Sequence, residues 1–301
     1  MTSRILNQNK LSADSGTVLD YFILLKPRVM SLAIFTALVG QLLAAGQNNV
    51  HPVLFLISLF SIALGAGAAG CINMWYDRDI DSKMERTSQR PIPKGLIVPE
   101  EALSLGVILS IISIILLVLA SNYLSGILLA ASILFYVFVY TIWLKRKTYY
   151  NIVIGGAAGA LPPVIGWTSI TNELSTLPII LFLLIFIWTP PHFWALSLYT
   201  NDDYKKVNIP MLPVVLGKEK TIKSIIRYSF YLYFISLLPY VFNFSGILYL
   251  FAAISLSTLF LFFSLKLDKN DLNKAKKLFK FSILYLFSIF FILVIDSFIK
   301  Y

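Results

Sequence analysis

The chain has 301 residues, 58% of them hydrophobic and only 13% charged. A soluble domain carries roughly 25% charged residues, so the composition argues against a soluble enzyme and for the bilayer as solvent. The net charge of +10 would suit nucleic acid, but the long apolar runs do not, and the sidedness of the charges accounts for the excess.

Residues 1–25 read as an N-terminal cytoplasmic tail, and 26–301 as a single transmembrane domain. The first twenty residues are polar, hold Asp14 and Asp20, and contain no apolar stretch for a signal peptide. A short disordered or interfacial segment is expected there. The lone cysteine, Cys71, excludes an internal disulfide and any multi-cysteine metal site.

A spanning helix needs about 20 mostly apolar residues. Nine stretches qualify: 29–46, 53–72, 103–120, 125–144, 152–167, 177–199, 228–242, 247–265 and 281–299. The seventh is short, and its ends are open because the turn at Asn243 to Gly246 also fits a re-entrant pair. The expected fold is therefore an all-α polytopic membrane bundle.

The basic residues sort by loop. Arg4, Lys10, Lys26 and Arg28 precede the first span. Arg78, Lys83, Arg86, Arg90 and Lys94 lie between the second and third. Lys145, Arg146 and Lys147 follow the fourth, six more follow the sixth between Lys205 and Arg227, and six follow the eighth between Lys266 and Lys280. Only Lys300 of the 25 Lys and Arg falls on the other side. Positive loops stay in the cytoplasm. The N-terminus is thus expected inside and the C-terminus outside, most simply in a bacterial cytoplasmic (inner) membrane.

The densest chemistry follows the second span, in Asn73-Met-Trp-Tyr-Asp77-Arg-Asp79-Ile-Asp81. If the helix continues, Asp77 and Asp81 lie about 40° and 80° from Asn73, and Asp79 about 240° round. Asn73, Asp77 and Asp81 would then share one face as oxygen ligands for Mg²⁺, which binds substrate phosphates through one or two carboxylates. The alternative is a solvated loop whose acids balance nearby cations. Arg86, Arg90 and Lys94 come next, and guanidinium groups bind phosphate oxygens in pairs. Lys145 and Arg146 stand at the end of the fourth span on the same side. The fifth span opens with Asn151 and runs through Gly155, Gly156 and Gly159, small residues that permit close helix packing.

The sixth span contains Trp188-Thr-Pro190-Pro191-His192-Phe193-Trp194. Two prolines are expected to break or kink a membrane helix and free backbone carbonyls. An imidazole in mid-span is a functional hypothesis by default: it ligates a metal or porphyrin iron, or it bonds a freed carbonyl. His51 reads as a surface residue. After this span come Asp202, Asp203 and Tyr204, a second acidic cluster 126 residues beyond the first on the same side.

Together these segments resemble the UbiA-type intramembrane prenyltransferases. The matching stretches are Lys26-Pro-Arg28, Asn73 to Gly95, Tyr140 to Thr148, Asn151 to Trp167, Trp188 to Leu196, and Asp203-Tyr204 through Pro213. The Thr-Pro-Pro-His-Phe-Trp stretch points to the haem O synthase branch. The resemblance implies nine helices around a central cavity open to the cytoplasm, and Mg²⁺-dependent transfer of a farnesyl group from farnesyl diphosphate to a vinyl group of haem b. It implies Asn73, Asp77 and Asp81 as metal ligands. Arg86, Arg90, Lys145 and Arg146 complete the catalytic set, with His192, Asp203, Tyr204 and Lys94 binding substrate. The product, haem O, would serve terminal oxidase assembly, with a downstream haem-modifying enzyme or oxidase assembly factors as partners. One departure stands out: many relatives carry a second Asp-x-x-x-Asp, whereas here Asp202 and Asp203 are adjacent and residue 207 is Val. Rival readings are a prenyltransferase for an aromatic acid or chlorin, and a transporter or channel. A transporter would place charges in mid-span and break helices at matching positions of two halves, and these spans are nearly charge-free.

Overall fold

The computed structural model describes residues 16–46, 48 and 50–300, without the side chain of Lys300. The first fifteen residues of the expected tail, part of the first outer loop and Tyr301 lie outside the described residues. Within the tail, residues 18–24 form helix α1 (Val18–Leu24). Thr17 and Asp20 close a reciprocal capping box at its start, and the Tyr21 hydroxyl donates to Glu101 at 2.6 Å. Leu24 is buried with Cys71, Met74 and Ile97. Val18, Leu19 and Phe22 stay exposed.

The helices then follow in order: α2 (Pro27–Ala45), α3 (Pro52–Tyr76), α4 (Arg78–Asp81), α5 (Pro99–Ala120), α6 (Tyr123–Leu134) with a π-helix (Phe135–Leu144) continuing it, α7 (Asn151–Ala160), α8 (Pro162–Thr171), α9 (Thr176–Tyr199), α10 (Asn201–Lys206), α11 (Leu212–Val215), α12 (Gly217–Ile235), α13 (Leu238–Val241), α14 (Ile247–Leu265) and α15 (Leu272–Lys300). Among the described residues, eight helical stretches are long and apolar enough to cross a membrane, with α6 and the π-helix forming one and α7 and α8 another. The protein is an integral, multi-pass membrane protein.

Three expectations change in detail. The expected seventh span, 228–242, corresponds to α12, which is not among those eight; it begins at Gly217 and ends at Ile235, with Leu238–Val241 as a separate turn. Its first turns carry Lys218, Glu219, Lys220, Lys223 and Arg227, which masks it as a span by hydropathy. The expected single helix 152–167 bends at Leu161, where Pro162 and Pro163 open α8, since proline suits the first turn of a helix. Pro190 and Pro191, expected to break or kink the sixth span, do not break it: both lie inside a continuous α9.

Apolar burial cannot drive helix association in lipid, so close approach matters. A Cβ on Gly40 would stand 2.1 Å from the Pro163 carbonyl oxygen, and one on Gly166 would stand 2.1 Å from that of Ala37. These two glycines let α2 and α8 cross backbone to backbone. Gly155 similarly admits the Tyr140 ring, whereas Gly159 faces open space. One apolar cluster joins residues of α2, α9, α12, α14 and α15. A second joins α2, α3, α5, α6, the π-helix and α8.

Candidate active site

The acidic motif sits where α3 ends. Asp77 leaves helical geometry, at φ −88° and ψ 5°, yet the four-residue hydrogen-bond spacing survives. Its N–H reaches Asn73 O at 3.0 Å, and the Asp81 N–H reaches Asp77 O at 2.8 Å. The motif therefore keeps its helical face. Asp77 is 0% and Asp81 2% exposed, while the Asp79 side chain is 57% exposed.

Each buried acid is met by cations from other elements. Lys145, at the end of the π-helix, donates to Asp77 Oδ2, and Arg146 approaches Asp77 Oδ1 at 3.6 Å. Arg90 pairs with Asp81 at 2.5 Å. Arg146 also grips Asp79 through two hydrogen bonds of 2.7 and 2.8 Å and lies over the Tyr76 ring at 4.8 Å. That hydrogen-bonded pairing holds the Asp79 carboxyl below its ordinary range. The π-helix widens each turn, as the Lys145 N–H to Tyr140 O bond of 2.9 Å records. Such widened turns occur frequently at functional sites.

Asn73 organises the floor. Its Nδ2 donates to Asp77 Oδ2 at 2.8 Å and to Thr141 Oγ1 at 3.0 Å, and its Oδ1 accepts from Lys26 Nζ at 2.6 Å. Lys26 itself stands at φ 52° and ψ 52°, a left-handed conformation that costs a residue with a side chain roughly 1–3 kcal/mol and clusters at functional sites. Desolvation, then the Arg90 and Lys145 charges, push its ammonium down to about 7. Neither Lys26 nor Thr141 stands out from its chemistry alone. Their signal is position, one just before the first span and the other one turn before Lys145.

The remaining candidates divide. Arg86 is exposed and pairs with no carboxylate among the described residues, and its charge acts on Tyr140 and Tyr199. Lys94 is exposed and, among the described residues, forms no ion pair with Asp77 or Asp81. Asp203 is half-buried and pairs with Lys206 at 3.7 Å, while Asp202 is open to solvent. Tyr204 is buried against Ile80 and Ile152, so the second cluster packs on the first.

His192 lies apart from the acids. It is buried, stacked between Trp188 at 4.3 Å and Phe279 at 4.7 Å, with its Nδ1 2.6 Å from Ser282 Oγ. Trp188, Phe279 and Ser282 went unremarked in the sequence as partners of this histidine.

Among the described residues, no three His, Cys, Asp or Glu side chains gather as a metal cluster. The oxygen chemistry nonetheless fits a hard cation at one point. Asp77 Oδ1 is buried and accepts no hydrogen bond, an arrangement that leaves a lone pair for an ion. The Asn73 oxygen, by contrast, is held by Lys26.

A family model for the UbiA prenyltransferase family matches residues 33–292. The chain is 50% identical over 293 residues to a protoheme IX farnesyltransferase of Rickettsia bellii, covering 97% of each. It is 51% identical to one of Acidiphilium cryptum, covering 97% of this chain and 94% of that one. Among solved structures it resembles a digeranylgeranylglyceryl phosphate synthase with TM-score 0.77 at 21% identity, over 94% and 99% of the two chains. It also resembles a UbiA homolog from Archaeoglobus fulgidus bound to GPP and Mg²⁺, with TM-score 0.69 at 20% identity, over 91% and 99%. With half its residues shared over nearly its whole length, and the family pattern running from the first span to the last, the chain belongs to the UbiA prenyltransferase family.

Proposed function

We propose that this protein is a Mg²⁺-dependent prenyltransferase that moves a farnesyl group from farnesyl diphosphate to a vinyl group of haem b, giving haem O. The observation that carries the reading is the near-complete match, at half identity, to relatives named for that activity. The local geometry supports it: two buried carboxylates, each already held by a cation, lie at one end of the bundle.

Asp77, through the Oδ1 that accepts no hydrogen bond, and Asp81 would hold Mg²⁺, and Asn73 would join them only by releasing its oxygen from Lys26. Bound there, the ion supplies positive charge against the diphosphate that departs. The protein's own groups do the rest. Arg90, Lys145 and Arg146 balance the three aspartates, so Lys26, when protonated, and Arg86 supply the positive charge that attracts an anion. Arg86, free of a carboxylate, would bind diphosphate oxygens. Asp203 and Tyr204 would support the same end of the substrate, and Lys94 contributes charge at the rim. The allylic C–O bond breaks with its electron pair going to diphosphate. The vinyl carbon bonds to the farnesyl carbon, and water captures the resulting cation and loses a proton to leave a hydroxyl. Apolar walls around the bound prenyl chain would keep water from the allylic cation until that last step.

His192 would take the acceptor, offering an imidazole nitrogen to the porphyrin iron. The membrane would be the bacterial cytoplasmic membrane with the N-terminus inside. A haem-modifying enzyme or oxidase assembly factor would receive the product. The test is incubation of purified protein with haem b, farnesyl diphosphate and Mg²⁺, read by mass. A product heavier by farnesyl plus hydroxyl supports the reading. Prenylation only of an aromatic acid or a chlorin would replace it. His192→Ala should weaken haem binding and spare farnesyl diphosphate binding, with Asp77→Ala giving the reverse.

A further inference from the structure

The last span carries no motif, yet among the described residues it contributes the one polar partner of His192. Ser282, on α15, is fully buried. Its hydroxyl donates to the Phe279 carbonyl at 2.6 Å, and the same oxygen lies 2.6 Å from His192 Nδ1. A serine hydroxyl has one proton and two lone pairs. The Phe279 carbonyl can only accept, so when both contacts are hydrogen bonds the serine donates to Phe279 and accepts from His192 Nδ1–H. In its neutral form the imidazole then carries its lone pair on Nε2.

The rest of the surroundings hold that geometry. Trp188 Nε1 donates to the Ser282 carbonyl oxygen at 2.8 Å, which ties the serine's backbone to α9, four residues before the histidine. The Trp188 and Phe279 rings cover the two faces of the imidazole at interplanar angles of 19° and 26°, and Phe193 meets it edge-on at 5.1 Å. The ring is thus fixed in tilt by stacking and in tautomer by the serine.

We propose that Ser282 is a positioning residue: it fixes His192 as the Nδ1–H tautomer and so presents Nε2 as the nitrogen that ligates the acceptor's iron. The second half of this statement rests on the haem reading given above. The first half does not. Metal-ligating histidines generally donate their other N–H to such an outer partner, and loss of the partner typically weakens binding or activity roughly 10- to 100-fold.

The two halves are tested separately. The chain has only two histidines, so His51→Gln leaves a single ring to observe. In haem-free, ¹⁵N-histidine-labelled protein, the ring nitrogens are expected to report Nδ1 protonated and Nε2 bare. Ser282→Ala should shift the ring toward the Nε2–H form, and Ser282→Thr, which keeps the hydroxyl, should restore the native pattern. A native ring protonated on Nε2, or a pattern unmoved by Ser282→Ala, overturns the assignment whatever the substrate is. Titration with haem b follows. Ser282→Ala should weaken haem roughly 10-fold or more and lose the absorption and spin-resonance signature of nitrogen ligation, with farnesyl diphosphate affinity unchanged and Ser282→Thr close to native. If His192→Ala abolishes that signature while Ser282→Ala leaves it intact, the histidine reading survives and the role of Ser282 falls. If native protein binds haem with no nitrogen ligation, the iron-ligand role falls and the tautomer result stands alone.

Discussion

Replacing Asp79 and Asp77 separately by alanine tests whether burial, and not membership of the acidic motif, decides which carboxylate matters. Asp79 is 57% exposed and its partner Arg146 31% exposed. An exposed ion pair contributes about 0.2–1 kcal/mol, which is at most about fivefold on a rate or binding constant at 1.4 kcal/mol per tenfold. Arg146 also keeps its seat without Asp79, because it lies over the Tyr76 ring at 4.8 Å and donates to the Tyr76 carbonyl at 3.1 Å. Asp77 is different. It is fully buried, pairs with Lys145, and takes the Asn73 amide at 2.8 Å. Removing one partner of a buried pair costs about 3–5 kcal/mol, because the other charge is left uncompensated. The expected loss in farnesyl transfer is therefore at least about 100-fold for Asp77→Ala, with Asp81→Ala close behind. The assay is initial rate of haem farnesylation by detergent-purified variants, titrated in Mg²⁺ and farnesyl diphosphate. Each rate is normalised to the folded fraction from thermal unfolding. Equal losses from Asp79→Ala and Asp77→Ala, or an Asp77→Ala variant within tenfold of native, would refute the face argument.

Three further outcomes follow from particular contacts. Thr141→Val keeps the shape of the side chain but removes the acceptor of the Asn73 Nδ2 bond. Leaving that donor unpaired costs about 1–3 kcal/mol, so turnover should fall roughly 5- to 100-fold with little change in haem affinity, and unchanged kinetics would remove Asn73 from the site's organisation. On the opposite face, Asp296 accepts from the Gly246 and Tyr249 backbone N–H groups and so caps α14. Asp296→Ala should cost roughly 1–2 kcal/mol of stability and lower the unfolding temperature in detergent, with Asp296→Asn intermediate and specific activity of the folded fraction preserved. Cysteines placed at 94, 147, 218 and 274 in a Cys71→Ser background should label from the cytoplasm and one at 300 from outside. Labelling of 147 and 218 from opposite faces would break the nine-helix topology.

The local features were legible because local rules govern them. Asp77, Asp79 and Asp81 divided between buried and exposed as the 100° helical step requires, even though Asp77 itself departs from helical geometry. The helix starting at Gly217 was misplaced because its first turns lie among lysines, where hydropathy reads water although the backbone is already helical. Pro190 and Pro191 leave α9 unbroken. A missing N–H is tolerated inside a packed membrane helix when neighbouring helices hold it, and α9 packs among α12 and α15.

What the sequence determined by itself is the membrane architecture, the acidic motif and the family pattern. All of these follow from residue order over a few turns and from the exclusion of charge from lipid. Only the tertiary structure decided which cation serves which acid. Lys26 reaches Asn73 across 47 positions and Lys145 reaches Asp77 across 68, through a π-helix whose wider turn no local propensity announces. The same holds for His192, whose Nδ1 meets the hydroxyl of a serine 90 residues away. A single hydroxyl in an apolar helix carries no periodic signal. Its role exists only because α9 and α15 pack with the imidazole and the hydroxyl at hydrogen-bonding distance, in a medium with no water to compete for the bond.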